Sequence, residues 1–130
     1  MKKMKKLPPL ADAQLEVMQL VWRHGEVTVS DVWQALSQQK SVARNTVLTV
    51  MDRLAKRGWL RKRRVGSADL YEATCSEQAA QGTIVGRLID KAFYGSADSL
   101  VLALLQERGV SEEEAERIQR MLKESRKGDN

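Results

Sequence analysis

The sequence holds little of what enzymes and disulfide-braced domains are made from. Cysteine occurs once among 130 residues, as Cys75. A single thiol excludes an internal disulfide and any cysteine-rich metal cluster, and its ordinary role is that of a small apolar side chain. Histidine also occurs once, as His24 beside a glycine, where it suits a helix C-terminus; no partner cluster accompanies it. There is no glycine-rich phosphate loop and no clustered carboxylate pair, so no catalytic residue, metal ligand or cofactor site can be named and an enzyme is not expected. Long apolar runs are missing as well. The longest, Leu100 to Leu105, falls far short of the roughly 18 to 20 residues that span a bilayer. The opening MKKMKKLPPL is basic but lacks the apolar run of a signal peptide, so a cytoplasmic location away from membranes is expected.

What is present is a globular, charge-rich composition: 42% hydrophobic, 30% charged, net charge +5. The charge is unevenly spread. Residues 1–75 hold 14 Lys and Arg against 7 Asp and Glu, whereas residues 76–130 hold 8 against 10, so the first part is the candidate nucleic-acid surface. Texture divides the chain three ways. Lys2, Lys3, Lys5 and Lys6 ahead of Pro8 and Pro9 read as a basic flexible arm over 1–9; a compact domain follows over 10–75, and a helical region over 76–130.

Within 10–75, Leu15, Val17, Met18, Leu20, Val21 and Trp22 predict a helix from Asp12 to Arg23, ended by His24-Gly25. Glu26 to Val29 reads as one short strand, and Ser30 as the cap of a second helix reaching Leu36 with Val32 and Trp33 inward. After a polar turn at 37–41, the stretch Ser41 to Gly58 sorts into two faces at helical spacing. Ala43, Val47, Val50, Met51 and Leu54 fall on one side, and Asn45, Leu48, Thr49, Asp52 and Lys56 on the other. The outer face begins with Arg44, Asn45, Thr46 and Thr49, which can donate to and accept from base edges while the helix N-terminus offers free N–H groups to phosphate. Two helices joined by a short turn, the second exposed, make a helix-turn-helix. The bland alternative is a solvated face on a core helix.

The period then changes. Trp59 to Val65 predicts a strand, Gly66 to Asp69 a turn, and Leu70 to Thr74 a returning strand. Arg61, Lys62, Arg63 and Arg64 alternate between faces, so at least two must reach away from the core. In a winged helix-turn-helix such a hairpin lies beside the recognition helix and touches phosphate or minor groove; otherwise it is an edge strand protected by charge. The third region predicts three helices. One carries Ile84, Val85, Leu88, Ile89, Ala92 and Phe93, and breaks at Gly95. A nearly all-round apolar one carries Leu100, Val101, Leu102, Leu104 and Leu105 and stops at Arg108-Gly109. The last begins at a capping box, Ser111 to Glu114, and bears Ala115, Ile118, Met121 and Leu122. Three helices of this length cannot bury their own apolar surface, so a second copy of the chain is the simplest partner, with Ile84, Leu88, Leu100, Val101, Leu104, Leu105, Ile118 and Leu122 as candidate interface. Folding back onto the winged domain is the alternative.

The order of these elements and several residue strings resemble the penicillinase-repressor family, the winged-helix regulators that include the beta-lactamase, methicillin-resistance and copper-responsive repressors. The likeness runs from residue 10 to about 124. It is carried by Ala13-Gln14-Leu15-Glu16-Val17-Met18 with Trp22, by Thr46-Val47 through Arg53-Leu54, by Lys56-Arg57-Gly58-Trp59-Leu60, by Tyr71, and by Ser99-Leu100-Val101-Leu102. The resemblance implies a mainly α fold with a small β-hairpin wing, a winged helix-turn-helix followed by a three-helix dimerisation region. It also implies a homodimeric repressor on a dyad DNA operator of the TACA/TGTA type near resistance genes. By motif position Ala43, Arg44, Asn45, Thr46, Leu48 and Thr49 would carry DNA contact; Arg53 and the basic wing's Arg63 and Arg64 complete the candidate set. Three departures stand out. Ala11 occupies the place of a Ser or Thr cap. Ala103-Leu104 occupies the place of the Asn-Phe bond at which a sensor-linked protease cuts some members. The tail KESRKGDN lacks the cysteines of the copper-responsive branch.

A protein-interaction module whose basic hairpin meets an acidic partner is the reading from another class. A steep fall of duplex binding with salt, together with sequence preference, separates the two.

Overall fold

The computed structural model describes residues 7–128, and the arm's lysines lie outside them. Its contacts divide the chain into two compact units, 1–84 and 85–130. In the first, α1 (Asp12–His24), α2 (Val29–Ser37) and α3 (Arg44–Lys56) precede an antiparallel pair, β1 (Leu60–Val65) and β2 (Ala68–Ala73). α4 (Glu77–Ala92) begins in the first unit and ends in the second, which also holds α5 (Ala97–Glu107) and α6 (Glu112–Gly128). The winged helix-turn-helix expected from the sequence is the fold observed.

The core of the first unit follows the apolar spacing. Val17, Met18 and Val21 of α1, Val32 and Leu36 of α2, Val47, Met51 and Leu54 of α3, and Trp59, Leu60 and Tyr71 of the hairpin are buried together. Each indole nitrogen that enters this packing reaches a carbonyl. Trp22 Nε1 donates to Cys75 O, Trp33 Nε1 to Val42 O and Trp59 Nε1 to Pro8 O, all at 2.8–2.9 Å. Leu7 is buried as well, so residues 7 and 8 of the expected arm are tied to the core. Ala80 of α4 is fully buried in the same cluster, which carries the domain's packing past residue 75.

Several local expectations are corrected. Val29 opens α2, and the residues before it form only a bridge, Val27 exchanging both backbone hydrogen bonds with Tyr71. The cap of α2 is Thr28, not Ser30: its Oγ1 accepts from Asp31 N at 3.1 Å while Asp31 Oδ2 accepts from Thr28 N at 2.9 Å, a reciprocal capping box. Ala11 cannot cap α1 with its side chain, and Gln14 Oε1 instead accepts from the Ala11 N–H at 2.9 Å. The hairpin turn is two residues, Gly66-Ser67, because Val65 already pairs with Ala68 and Gly66 supplies the positive φ the turn needs. Ala43, expected on the core face of the third helix, is its exposed N-cap. Leu48, expected outward, packs partly against the core.

In the second unit the Ser111–Glu114 capping box is present, Ser111 Oγ accepting from Glu114 N at 3.1 Å and Glu114 Oε1 from Ser111 N at 3.0 Å. These bonds hold the Glu114 carboxyl below its usual range. α5, expected to be buried on most sides, contains no buried residue in the single chain. Val101, Leu102, Leu104 and Leu105 are each about half exposed, as are Met121 and Leu122 of α6.

Candidate nucleic-acid interface

α3 owes its placement to Val47, Met51 and Leu54, which recur every three or four residues and are all buried. With that face fixed, Arg44, Asn45, Thr46 and Thr49 are exposed at and beyond the helix N-terminus. Thr49 Oγ1 donates to Asn45 O at 3.0 Å, so its hydroxyl is steadied along the helix. Arg44 Nε donates to Ser30 Oγ in the first turn of α2 at 3.2 Å, an exposed bond that engages one of the guanidinium's five donors. The sequence pattern did not disclose Ser30 in this role because a serine at a helix start reads as a cap. Of the other expected contacts, Leu48 is half-buried and offers only part of its side chain, and Arg53 is exposed further along α3.

The wing differs from expectation in its electrostatics. Each of its four consecutive cations meets a carboxylate: Arg61 meets Glu72 at 3.0 Å, Lys62 meets Asp52 at 3.8 Å, Arg63 meets Glu26 at 2.7 Å and Arg64 meets Asp69 at 3.5 Å. Arg63 is held most firmly, through Nε and Nη2 to both oxygens of Glu26, and this bond raises its pKa above the usual value. By contrast Arg53, Lys56 and Arg57 of α3 and its C-cap have no carboxylate partner among the described residues. The uncompensated positive charge of this face therefore lies on α3 more than on the wing. All four are exposed, where alternation along β1 required at least two to be, and nothing in it announced their partners. Those come from α3, β2 and the segment before α2, up to 37 residues away along the chain.

Tyr71 joins these parts. Its ring is buried, its backbone bridges Val27, and its hydroxyl donates to Asp52 Oδ1 on α3 at 2.9 Å. Burial first, and then the Asp52 hydrogen bond, raise the tyrosine's pKa. Asp52, read from the sequence as part of a free outer face, is thus the joint between recognition helix and wing. Among the described residues no three of His, Cys, Asp and Glu gather as a metal set, and no helix is long and apolar enough to cross a membrane.

Comparison with known proteins fits this geometry. The family model described as penicillinase repressor matches residues 10–124. The chain belongs to the penicillinase repressor family. Members of that family are DNA-binding transcriptional repressors. Among its relatives, the penicillinase repressor of Bacillus licheniformis is 29% identical over 121 residues, covering 93% of this chain and 94% of that protein. The transcriptional regulator BlaI of Mycobacterium tuberculosis is 31% identical over 127 residues, covering 96% and 91%. Among solved structures, the monomeric form of Bacillus licheniformis BlaI in complex with the blaP half-operator is 33% identical with a TM-score of 0.50, over 58% of this chain and 92% of that one.

Proposed function

We propose that the chain is a transcriptional repressor that binds a dyad-symmetric operator as a homodimer, without catalytic activity of its own, in the cytoplasm where its DNA target lies. DNA binding and repression follow from the family; the dimer and the operator's symmetry, of the TACA/TGTA type near resistance genes, are our inference. The observation that carries the dimer is α5. Leu104 and Leu105 of an apolar-rich helix are about half exposed, as are Val101 and Leu102, and Ile84, Leu88, Ile118 and Leu122 add to the exposed apolar surface of α4 and α6. Exposed apolar patches of this kind mark an interaction surface, and a two-fold partner is the simplest closed way to cover one. Two recognition helices would then meet successive major grooves about 34–36 Å apart.

Base reading is assigned to Arg44, Asn45 and Thr49, with Ala43 and Thr46 nearer the backbone and Leu48 contributing its exposed part to a thymine methyl. Inactivation by a sensor-linked protease would require cutting at a bond other than Ala103-Leu104, since the family's Asn-Phe pair is absent there. Selection of bound sequences from a random duplex pool tests the reading. A recovered palindrome supports both specificity and symmetry, and indifference to base sequence would remove it.

A further inference from the structure

An open crevice of about 550 Å³ separates α3 from β1 and is lined by Asp52, Lys56, Gly58, Leu60, Arg61 and Lys62 among others. We propose that it seats a phosphate of the DNA backbone, with Lys62 and Lys56 as its cationic ligands, and that Asp52 is where Lys62 rests before a duplex arrives. This rests on the DNA-binding reading above. Lys62 pairs in register with Tyr71, and Leu60 with Ala73, so Lys62 shares the strand face of the buried Leu60 and Tyr71, the face turned toward α3. Its Nζ lies 5.9 Å from the centre of the Tyr71 ring. Arg63 points to the alternate face, where Glu26 holds it, and Arg61, which also borders the crevice, is already engaged by Glu72.

The ion pairs rank the wing's cations by what their release would cost. Lys62 and Asp52 form the longest of the four, at 3.8 Å. When Lys62 leaves, Asp52 keeps the Tyr71 hydroxyl at 2.9 Å and is not stranded. Arg63 would have to give up a forked grip on Glu26, which has no other partner among the described residues. Lys56, one turn beyond Asp52 on α3, meets no carboxylate among the described residues, so it leaves a second ammonium on the crevice wall. Lysine suits this role because it is a compact point charge on a flexible stem, able to move from carboxylate to phosphate. A concave basic wall also concentrates the field that attracts the backbone.

The test uses the full chain and compares log K against log salt on operator and random duplexes. For wild type, a salt-dependent affinity checks the DNA-binding reading itself; its absence is a failure of that reading, visible before any variant is made. Lys62→Gln is expected to lower the slope by about 0.9 and to weaken both duplexes by the same factor, and Lys56→Gln to do likewise. Arg23→Gln, at the exposed C-terminal end of α1 and away from the crevice lining, is expected to leave the slope as it is. Urea midpoints of the three variants show that each still folds, and Lys56, exposed on α3, keeps the test open if Lys62→Gln does not. Unchanged slopes in both lysine variants would overturn the proposal, as would an equal fall of the slope in Arg23→Gln. Inorganic phosphate is titrated separately against the amide resonances of Gly58 and Leu60. Saturable shifts there with unchanged duplex slopes would reassign the crevice to a free anion, and the proposal would fall.

Discussion

Replacing Tyr71 by Phe removes one hydroxyl from the joint between recognition helix and wing and leaves the buried ring in place. The lost bond runs to a carboxylate, and such bonds contribute about 1.5–3 kcal/mol. Because the Asp52 side chain is 41% exposed, water replaces part of what is lost, so the lower end, about 1.5 kcal/mol near neutral pH, is expected. The pH dependence follows from the raised pKa, caused first by burial and then by Asp52. Folding favours the neutral phenol. Its stabilisation is therefore complete below the unfolded value near pH 10, and is lost as pH rises from there toward the folded value, by at most about 1.4 kcal/mol per pH unit. Urea unfolding of wild type and Tyr71→Phe at pH 8 and pH 11, at one protein concentration, reads both effects. The stability gap should be about 1.5 kcal/mol at pH 8 and shrink markedly by pH 11, since only wild type carries the titrating hydroxyl. A gap of the same size at both pH values would mean that the hydroxyl titrates alike in folded and unfolded chains, and the joint as described would be wrong.

Arg44→Ala should relax discrimination at one operator position by about 1–3 kcal/mol, seen as a loss on operator that random duplex does not share; an equal loss on both would make Arg44 a phosphate anchor. Gly25, the C-cap of α1, sits at φ 86° and ψ −125°, a region nearly closed to other residues, so Gly25→Ala should cost about 1–3 kcal/mol in a urea titration. Leu104→Glu should produce monomers in sedimentation and weaken full-operator binding far more than half-site binding, and an unchanged dimer would move the interface off α5. A chain ended after Ile84 keeps Ala80 in its core and should bind a half-site, whereas one ended after Thr74 loses that packing and should melt earlier.

How much of this could be read from the sequence depended on whether the information was local. Helical spacing was enough for α1, for the buried triplet Val47, Met51 and Leu54, and for the capping box at Ser111, because each involves residues within a turn or two of one another. Composition and order of elements were enough for the winged helix-turn-helix. Spacing misplaced Ala43 and Leu48 because helical phase drifts at a terminus, where one residue is a cap and the packing of neighbours decides the rotation. It also missed that Thr28 outcompetes Ser30, since an aspartate three residues after Thr28 can answer its backbone N–H.

The sequence alone determined which residues could face outward: the polar N-terminal turns of α3 and a run of four cations that no strand can wholly bury. Only the tertiary structure decided which of those charges are free. Glu26, Asp52, Asp69 and Glu72 reach the wing through chain reversals that no local pattern encodes, and Coulomb attraction acts over ångströms of space, not positions along the chain.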